Sequence, residues 1–394
     1  MTCISLLTAG ESHGPALVAI VEGLPAGVPV SEEDVNRDLA RRQVGYGRGG
    51  RMSIERDTVV VVGGVRHGVT LGSPVCLQVS NRDWENWREE MSPSPAAPGF
   101  ESRRRVDVPR PGHADLAGAG RFGHDDMRNV LERSSARETA ARVAGGAVCK
   151  ALLAALNIRV RSYVVAIGGV EGPSCDSFAP DIWGLIEASD VRCADIDAAD
   201  RMREAIDAAR ADRDTVGGLV AVEAEGLPPG LGSCATWDSR LDARLAAAMM
   251  SIQAIKSVEV GLGREAASAR GSDVHDPILP GDGRWWRAVR PSNRAGGIEG
   301  GMSNGERVAL RLGMKPIPTL TSPLPSVDLR TGAPVDAHSE RSDVCAVPAA
   351  CIVAEAMMAL VLADALVEKL GSGCLTDMQA AYQAYRERLR RTIG

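Results

Sequence analysis

The feature that most constrains the fold is a long apolar segment near the end of the chain, at residues 348–370. Its length would suit a membrane span, but Glu355 and Asp364 fall within it, and acidic side chains are costly inside a bilayer. A helix that is apolar on all sides has to be buried on all sides. We therefore predict a buried core helix that the rest of the chain covers on more than one face.

A second constraint is an internal similarity between segments about half a chain apart. Residues 17–20 and 22–25 resemble residues 219–222 and 225–228, and a helix is predicted after each copy, the first from Ser31. Each copy is predicted to form a hairpin followed by that helix, which indicates duplication. Chance similarity of one hairpin is the alternative.

Duplication would give each half an antiparallel sheet with helices on one face. Joining the helical faces would bury them between the two sheets, and the apolar helix would suit that middle layer. We predict an α+β fold, a β-α-β sandwich in which two antiparallel sheets enclose a helical layer. It would form one domain over residues 1–394, with pseudo-repeat units near 4–45 and 215–255.

Composition excludes some classes of function. The net charge of −6 and the 3% share of aromatic residues argue against a nucleic-acid binder. The nine cysteines are scattered without a C-x-x-C spacing, so we predict reduced thiols and no metal site. No basic region marks the N-terminus as a signal peptide, and we expect a cytoplasmic protein.

A loop at residues 41–51 is the first candidate binding site, because it holds four arginines and four glycines. Arginine forks match phosphate and carboxylate oxygens, and glycines let the backbone approach a ligand. The pattern predicts a loop that holds a multiply anionic small molecule. Alternatively, Arg41 and Arg42 only cap the C-terminus of the preceding helix. The spacing matches no nucleotide-binding motif.

Two histidines lie in short glycine-flanked loops, His13 within residues 10–14 and His113 within residues 110–115. The second loop closes a proline-rich stretch at residues 92–111, which we predict to be a surface loop or lid. Beside arginines and a bound phosphate, such a histidine is a natural proton donor to the leaving group. A solvated loop histidine is the alternative.

Further candidates lie in charged or glycine-rich segments. Residues 132–139 combine serines with a predicted helix start, which favours phosphate, although an ordinary N-cap explains the pattern as well. Residues 293–305 hold five glycines, and a lysine–proline segment follows at 315–319. Arg341 and Asp343, just before the apolar helix, are a further pair of charged candidates. A surface ion pair is the alternative for them.

Eight segments, most of them described above, resemble the signature segments of the chorismate synthase family in that family's order along the chain. They are residues 10–14, 41–51, 110–115, 132–139, 251–256, 293–305, 315–319 and 341–348. The resemblance implies an enzyme of the shikimate pathway of aromatic amino-acid biosynthesis. It would be a carbon–oxygen lyase that eliminates phosphate from 5-enolpyruvylshikimate 3-phosphate in a 1,4-anti reaction to give chorismate.

The resemblance also implies a cofactor and an assembly. The family requires reduced FMN although the reaction has no net redox change, and the enzyme is a homotetramer of β-α-β sandwich subunits. The chain shows no inserted segment typical of bifunctional members, so a separate reductase that consumes NADPH, or free reduced flavin, is the expected source. The substrate is a small molecule, and no nucleic acid or membrane partner is expected.

The family roles fall on matching residues of this chain. Three would be catalytic: His13 would protonate the departing phosphate, His113 would stabilise the reduced flavin, and Asp343 would assist removal of the C6 hydrogen. The substrate, which carries a phosphate and two carboxylates, would be held by Arg42, Arg48, Arg51, Arg110, Arg137 and Arg341. FMN would be held by Arg133, Ser134, Ser135, Gln253, Ala254, Gly300, Lys315, Pro316, Ile317, Pro318, Thr319 and Arg341.

One residue departs from the family pattern, His124 within residues 122–126, and no role follows for it. Two other classes of protein compete with the enzyme. One is a binding module for phosphorylated metabolites, against which the two histidines beside arginine–glycine loops argue. The other is an RNA-binding protein that uses residues 41–51 and 103–105, against which the acidic net charge argues.

Overall fold

In a computed structural model of the chain, the structure describes residues 3–49, 56–173, 182–338, 343–371 and 373–392. The helices within these ranges are α1 Glu32–Gln43, α2 Asp115–Phe122, α3 Arg128–Ser134, α4 Thr139–Ala155, α5 Ile182–Ala188, α6 Ile196–Ala211, α7 Leu241–Met250, α8 Gly271–Val274, α9 Val347–Leu370 and α10 Leu375–Thr392. The strands are β1 Ser5–Ala9, β2 Ala16–Glu22, β3 Val59–Gly63, β4 Val65–Arg66, β5 Val69–Thr70, β6 Val75–Ser80, β7 Arg159–Ile167, β8 Val170–Glu171, β9 Gly218–Glu225, β10 Ile255–Val260, β11 Leu279–Pro280, β12 Ala288–Val289, β13 Ile298–Glu299, β14 Met302–Ser303, β15 Val308–Met314, β16 Pro325–Val327 and β17 Pro334–Asp336. Short 3₁₀ helices occur at Arg82–Asn86, Ala136–Glu138 and Gly263–Ser268.

Two antiparallel sheets dominate the fold. One has four strands in the order β1-β2-β6-β3, and the other has five in the order β10-β15-β9-β7-β8. Strands β2, β6 and β15 alternate buried and more exposed residues, as expected when one face of a sheet packs on a core. Strand β9 instead has five consecutive buried residues, which indicates cover on both of its faces. The mixture of helices and strands confirms the α+β class.

The predicted hairpins do not form, although the two similar segments do share a local structure. Strand β2 pairs with β1 and β6 on its two sides, and β9 pairs with β15 and β7. Residues 27–30 contact the β4–β5 turn instead, through a bridge between Pro29 and Val69. Gly23 and Gly226 end the two strands with φ of 87° and 89°. A Cβ at either position would collide with a backbone carbonyl oxygen of another segment, that of Cys3 or Asn157, which is why both turns need glycine.

Helix α1 begins as its sequence predicts, because Ser31 is the N-cap and its side chain accepts a hydrogen bond from the backbone N–H of Asp34. Arg41 and Arg42 lie in its last turn, and Val35 and Leu39 are buried. The helix packs against α4 and α9. The C-terminus of α1 is therefore held by the core, and the arginine–glycine loop begins at a fixed position.

Helix α4 contacts both its neighbouring layers closely because it contains two consecutive glycines. A Cβ on Gly145 would lie 2.6 Å from a methyl group of Leu6 in β1, and one on Gly146 would lie 2.4 Å from the Cβ of Ala356 in α9. The helix packs on strands β1, β2 and β6 and on α9, while α9 packs on β7 and β9. These two glycines set how closely sheet and helices approach.

The buried core helix is confirmed as α9. It is long and apolar enough to cross a membrane, but 89% of its most apolar window is buried inside the protein, where core packing accounts for its composition. Its two central acids are paired. Glu355 accepts from Arg41 and Lys150, each at 2.8 Å, and Asp364 accepts from the backbone N–H of Ile4 at 2.7 Å.

The two sheets differ in how their far faces are covered. On the four-stranded sheet, Leu7, Val60 and Val62 are more than half exposed. The strand register places Leu7 and Val60 on one face, since paired residues share a face and alternate residues return to it. Val62 lies at a β-bulge two residues after Val60 and is exposed like it. On the five-stranded sheet, Tyr163 and Ala221 are buried against Ile186 of α5.

Candidate active site

Arg42, a predicted site residue, is buried in the structure. Its guanidinium donates to Asp57 Oδ2 at 2.9 Å and to Thr139 Oγ1 at 3.3 Å. Burial, aided by the nearby charges of Arg48 and Arg137, lowers the pKa of Arg42 to about 10 against the opposing effect of Asp57. The side chain is therefore a cation at neutral pH in a setting that favours a further anion. These side-chain contacts with Asp57 and Thr139 show that Arg42 does more than cap the C-terminus of α1.

Arg137 converges on the same acid from another element. It lies in the 3₁₀ helix before α4, and its Nη1 is 2.5 Å from Asp57 Oδ1 while its Nε donates to Asn81 Oδ1 at 2.8 Å. Although burial alone would raise it, the pKa of Asp57 is held below its usual value by Arg42 and Arg137. Two predicted substrate arginines thus share one buried carboxylate.

Arg48 lies close enough to Arg42 for its charge to act on it, and it pairs with Asp343. The two side chains lie 3.1 Å apart, and the backbone N–H of Gly49 donates to Asp343 Oδ1 at 2.6 Å. The approach depends on Gly47, where a Cβ would lie 2.9 Å from Ile206 and 3.1 Å from Cys345. The arginine–glycine loop therefore folds onto the segment before α9, which brings the predicted catalytic aspartate beside a predicted substrate arginine.

His13 is buried and held in place, so the solvated alternative does not apply to it. Its backbone N–H donates to Glu132 Oε2 at 2.8 Å, and its Nδ1 lies 2.8 Å from Glu132 Oε1. Its ring stacks on Trp87 with centroids 3.9 Å apart. Arg104 lies over the same indole, 4.6 Å from its centroid. The imidazole is thus fixed by a carboxylate on one atom and by an aromatic face.

Asn81 links the His13 loop to the arginine cluster. Its amide donates to the carbonyl oxygen of Gly14 at 2.8 Å while its Oδ1 accepts from Arg137. The hydroxyls of Ser12 and Ser135 also lie 3.1 Å apart, which ties the loop to the segment that carries Arg137. The first histidine and the first arginine group therefore belong to one site.

The second histidine loop is built around a buried acid, Asp115. Its Oδ1 lies 2.5 Å from His113 Nδ1, and its Oδ2 accepts from Arg110 Nε at 2.8 Å. Burial would raise the pKa of Asp115, but hydrogen bonds from His113 and Arg110 hold it well below its usual range. Arg110 also donates to Thr319 Oγ1 at 3.0 Å, which joins the loop to a predicted cofactor segment.

An open cavity of about 450 Å³ lies at this second loop, and Arg110 and His113 are part of its lining. The other lining residues are Pro109, Pro111, Gly112, Leu116, Ala117, Ser326 and Val327. The volume falls within the range of small-molecule pockets, and the wall is mostly apolar. His124 lines a different cavity, of about 350 Å³, together with Arg105 and Arg330.

The segment 315–319 connects this loop to Gln253 and Ala254. Lys315 Nζ lies 2.5 Å from the carbonyl oxygen of Gly112, and its backbone N–H donates to Ala254 at 2.9 Å. Burial, with repulsion from Lys256, lowers the pKa of Lys315. A Cβ at Gly112 would lie 3.5 Å from Pro318. Pro316 is exposed, and Ile317 accepts from Thr215 through its carbonyl oxygen.

Gln253 has one buried side-chain atom whose hydrogen bonding is incomplete within the described residues. Its amide nitrogen donates to Glu138 at 3.0 Å, while its Oε1 is buried without a hydrogen-bond partner in the part of the chain that the structure describes. Buried acceptors usually have a partner, so a ligand donor would satisfy this atom. Next to it, Ala254 has φ of 66°, a left-handed conformation that is uncommon for a residue other than glycine.

The predicted phosphate-binding residues are only partly as expected. Ser134 ends α3 and Ser135 caps the 3₁₀ helix, so they form a junction before α4 rather than the start of the alanine-rich helix. Arg133 is exposed and donates to the carbonyl oxygens of Thr8 and Gly10. Thr8 Oγ1 in turn donates to Glu138, and Glu138 accepts from Gln253. This chain of contacts connects Arg133 with the segment at 253–254.

One described residue, Gly300, is not brought into the site by these contacts. Gly300 lies exposed in the β13–β14 turn with open space around its Cα, and the contacts of its hairpin are with Gly232 and Leu241. Arg51 and Arg341 lie outside the described residues.

Several site residues were not singled out by the sequence analysis. Asp57, Asn81 and Trp87 carried no motif, and each acts through a partner distant in sequence. Glu132, Glu138 and Asp115 lay within the predicted segments but received no role. A carboxylate within the same short segment as a candidate histidine, as Asp115 is, could have been proposed as its partner.

The described groups define a class of chemistry. Guanidiniums from three segments lie near one another, and Asn81 links them to the loop of a fixed histidine. A second histidine lines an apolar cavity with a further arginine. Such an arrangement can bind a small polyanion and transfer a proton to a leaving oxygen. It fits an enzyme acting on a phosphorylated metabolite better than a binding module.

Comparison with known proteins gives the family. The chorismate synthase family model matches residues 4–367. Chorismate synthases from Geobacter sulfurreducens and Desulforudis audaxviator are each 55% identical to this chain, over 389 and 384 residues, and cover 98% of it, with 98% and 97% of their own lengths matched. A solved structure described as a crystal structure of chorismate synthase is similar with a TM-score of 0.78 and 40% identity, over 98% of both chains.

The chain is thus an enzyme of the lyase class. It belongs to the chorismate synthase family.

Proposed function

We propose that the protein converts 5-enolpyruvylshikimate 3-phosphate to chorismate and phosphate by 1,4-anti elimination. The observation that carries the proposal is the convergence of Arg42, Arg48 and Arg137 beside His13. The substrate has a phosphate and two carboxylates, and guanidiniums bind such groups with two parallel hydrogen bonds. Arg42 Nε supports an anion there, because it is buried without a partner within the described ranges.

In the proposed reaction, the C3–O bond to phosphate breaks and the C6–H bond is lost. The electron pair of the C6–H bond enters the new conjugated double bond, and the electron pair of the C3–O bond leaves with phosphate. His13 protonates that phosphate, and Glu132 holds the His13 ring through Nδ1. Asp343, held by Arg48 and by the Gly49 N–H, assists removal of the C6 hydrogen.

Reduced FMN is the proposed cofactor, and when bound it supplies transient electron density without net redox change. The residues fit it in three respects: Gln253 offers an unsatisfied buried acceptor, Lys315 a cation, and the cavity at Arg110 and His113 an apolar wall. His113 would lie at the cofactor, with Asp115 holding its ring. The remaining proposed contacts are Arg133, Ser134, Ser135, Ala254, Gly300, Pro316, Ile317, Pro318, Thr319 and Arg341.

The proposal extends to assembly and supply. We propose a cytoplasmic homotetramer whose reduced flavin comes from a separate reductase that consumes NADPH, or from free reduced flavin. The exposed apolar side chains of Leu7, Val60 and Val62 on one sheet face support burial against a second copy. The β-α-β sandwich and the pseudo-repeat are proposed with it, supported by the packing of α4 and α9 on opposite sheets and by the matching turns at Gly23 and Gly226.

The deciding experiment is an anaerobic assay with 5-enolpyruvylshikimate 3-phosphate and reduced FMN, in which chorismate and inorganic phosphate are measured together. We expect equal amounts of the two products with reduced FMN and none with oxidised FMN. Equal turnover without flavin would contradict the cofactor, and no chorismate under either condition would contradict the reaction.

A further inference from the structure

We propose that Asp57 is a positioning residue that aligns Arg42 and Arg137 as one anion-binding pair. The inference rests on the proposed function, because it concerns how that site holds its substrate. Asp57 touches no predicted catalytic group in the described contacts, and its role would be exerted through the two arginines.

The geometry of Asp57 is that of a bridge. Its side chain is 0% exposed, one carboxylate oxygen accepts from Arg42 at 2.9 Å and the other lies 2.5 Å from Arg137. Its backbone N–H donates to Gln43 Oε1 at 3.0 Å, which fixes it to the end of α1. Because Arg42 comes from α1 and Arg137 from the 3₁₀ helix before α4, the carboxylate joins two elements that are far apart in sequence.

Asp57 does not occupy every donor of Arg42. Within the described ranges, the guanidiniums of Arg42 and Arg137 share the carboxylate of Asp57, and that of Arg48 pairs with Asp343. Asp57 uses a single oxygen for each arginine, so neither guanidinium is engaged by it on both sides. Arg42 Nε remains buried and unsatisfied within the described ranges, and an unsatisfied buried donor is costly unless a ligand reaches it.

A competing reading is that Asp57 is a counter-ion that occupies the place of the substrate anion. The two readings predict opposite effects of removing its charge. A competing counter-ion would weaken substrate binding while present, so Asp57→Asn would tighten it. A positioning residue keeps two like charges in register, so the same change would weaken binding.

The test is isothermal titration of full-length wild type and Asp57→Asn with 5-enolpyruvylshikimate 3-phosphate and, separately, with FMN. We expect the substrate Kd and KM to rise by roughly 10- to 100-fold, as for the loss of one partner in a buried charge pair. The affinity for FMN and kcat should change by no more than about threefold, because the arginines concerned bind substrate in both ground and transition states. Equal loss for both ligands, or unchanged or tighter substrate binding, would overturn the proposal.

Asp364→Asn is the matched control. Asp364 is also a buried carboxylate paired with an arginine, Arg244, but it holds the N-terminal strand through Ile4. It should lower the melting temperature and leave the affinities for substrate and FMN unchanged. Loss of substrate affinity in this control would show that the effect follows from stability alone and would count against Asp57.

Inorganic phosphate serves as a second probe, because the pair is proposed to hold an anion whatever the substrate. If the wild type binds phosphate but not 5-enolpyruvylshikimate 3-phosphate, the proposed function fails. Weaker phosphate binding by Asp57→Asn would then still support the positioning role, and equal binding would overturn it.

Asp57→Glu covers the case in which Asp57→Asn does not fold. It keeps the charge and moves the carboxylate by one methylene, so a folded protein with weakened substrate binding supports positioning. Unchanged affinity would overturn it. Failure of both variants to fold would assign Asp57 to folding and would also overturn the proposal.

Discussion

Glu132 holds His13 at two points, the backbone N–H and the ring Nδ1, while Trp87 supports the ring face. A proton donor works best when its ring orientation is fixed before the substrate binds. Asp115 does the same for His113 in the second loop. At the residue scale, then, each candidate catalytic histidine has its own carboxylate partner.

Replacing His13 with alanine should lower kcat with little change in substrate affinity. The loss expected for a general acid is about 10²- to 10⁴-fold. Rates come from the anaerobic assay and affinities from titration. His275→Ala is the control, because that histidine is exposed after α8 and should behave as wild type. A large loss of binding with unchanged kcat would remove the proton-donor role.

The arginines and histidines of the site could be predicted from sequence because loops rich in arginine, glycine and histidine stand out locally. Their partners could not. Asp57 follows no motif, and its contact with Arg137 spans 80 positions, so only the folded chain shows it. Trp87 lies in a polar stretch, and nothing local indicates that it would stack on a histidine 74 positions away, 87 minus 13.

At the scale of elements, the helices with strong local signals were predicted and the short ones were not. Helix α1 has an N-cap and acids in its first turn, and α9 is a long apolar segment whose internal acids favour a protein core over a membrane. Helices α3 and α5 have seven residues each, too few for a periodic pattern, and no comparable signal marks them. The predicted hairpins were wrong because a strand pattern does not tell which neighbour it pairs with.

Gly146→Ala should destabilise the protein although alanine is the better helix former. The new methyl group would lie 2.4–2.8 Å from atoms of Ala356 in α9, and overpacking of this kind costs about 1–3 kcal/mol. Equilibrium urea unfolding gives the change. Gly120→Ala in α2 is the control, since an added Cβ there meets nothing within 4 Å, and it should be neutral or stabilising by about 0.5–1 kcal/mol.

Glu355→Gln should destabilise the contact between α9 and α1 strongly. Glu355 is fully buried, and its loss leaves Arg41 and Lys150 with Asp38 as their remaining shared acid. Breaking a buried ion pair costs about 3–5 kcal/mol at pH 7, and the retained Asp38 sets this as the upper limit. Glu368→Gln is the control. Its partner Arg244 is shared with Asp364 and its side chain is 50% exposed, so the loss should be about 0–1 kcal/mol.

The stability difference between wild type and Glu355→Gln should depend on pH. Burial would raise the pKa of Glu355, but Lys150 and Arg41 hold it well below its usual value. Its stabilising contribution is therefore present above the unfolded pKa, about 4.3, and is lost as the pH falls toward the folded value. The difference in unfolding free energy between wild type and Glu355→Gln should shrink below about pH 4. A constant difference would contradict the ion-pair account.

At the scale of the whole molecule, the two sheets face their surroundings differently. Helix α5 covers part of the five-stranded sheet through Ile186, whereas the four-stranded sheet presents Leu7, Val60 and Val62. Apolar sheet faces of this kind are typical of contacts between subunits. This difference between the sheets is what the proposed homotetramer would explain.

Val62→Glu should shift the protein to smaller assemblies, because it places a charge on the apolar sheet face that is proposed as the contact. Sedimentation velocity of wild type and variant measures the distribution. Ile196→Glu is the control, since Ile196 is 73% exposed in the first turn of α6, where an acid suits the helix dipole. A tetramer in both variants would show that this face is not the interface, and a monomeric wild type would contradict the assembly itself.

The last turn of α1 places two arginines with different duties side by side. Arg41 binds Glu355 in the core, and the next residue, Arg42, points to Asp57 at the site. Substrate binding at Arg42 should therefore stabilise the last turn of α1, which Arg41 connects to the core. Amide hydrogens in this turn should exchange more slowly with deuterium when substrate is bound, by a factor that grows with substrate concentration. Hydrogen exchange at the end of α1 would then report the fraction of protein with bound substrate, without any turnover.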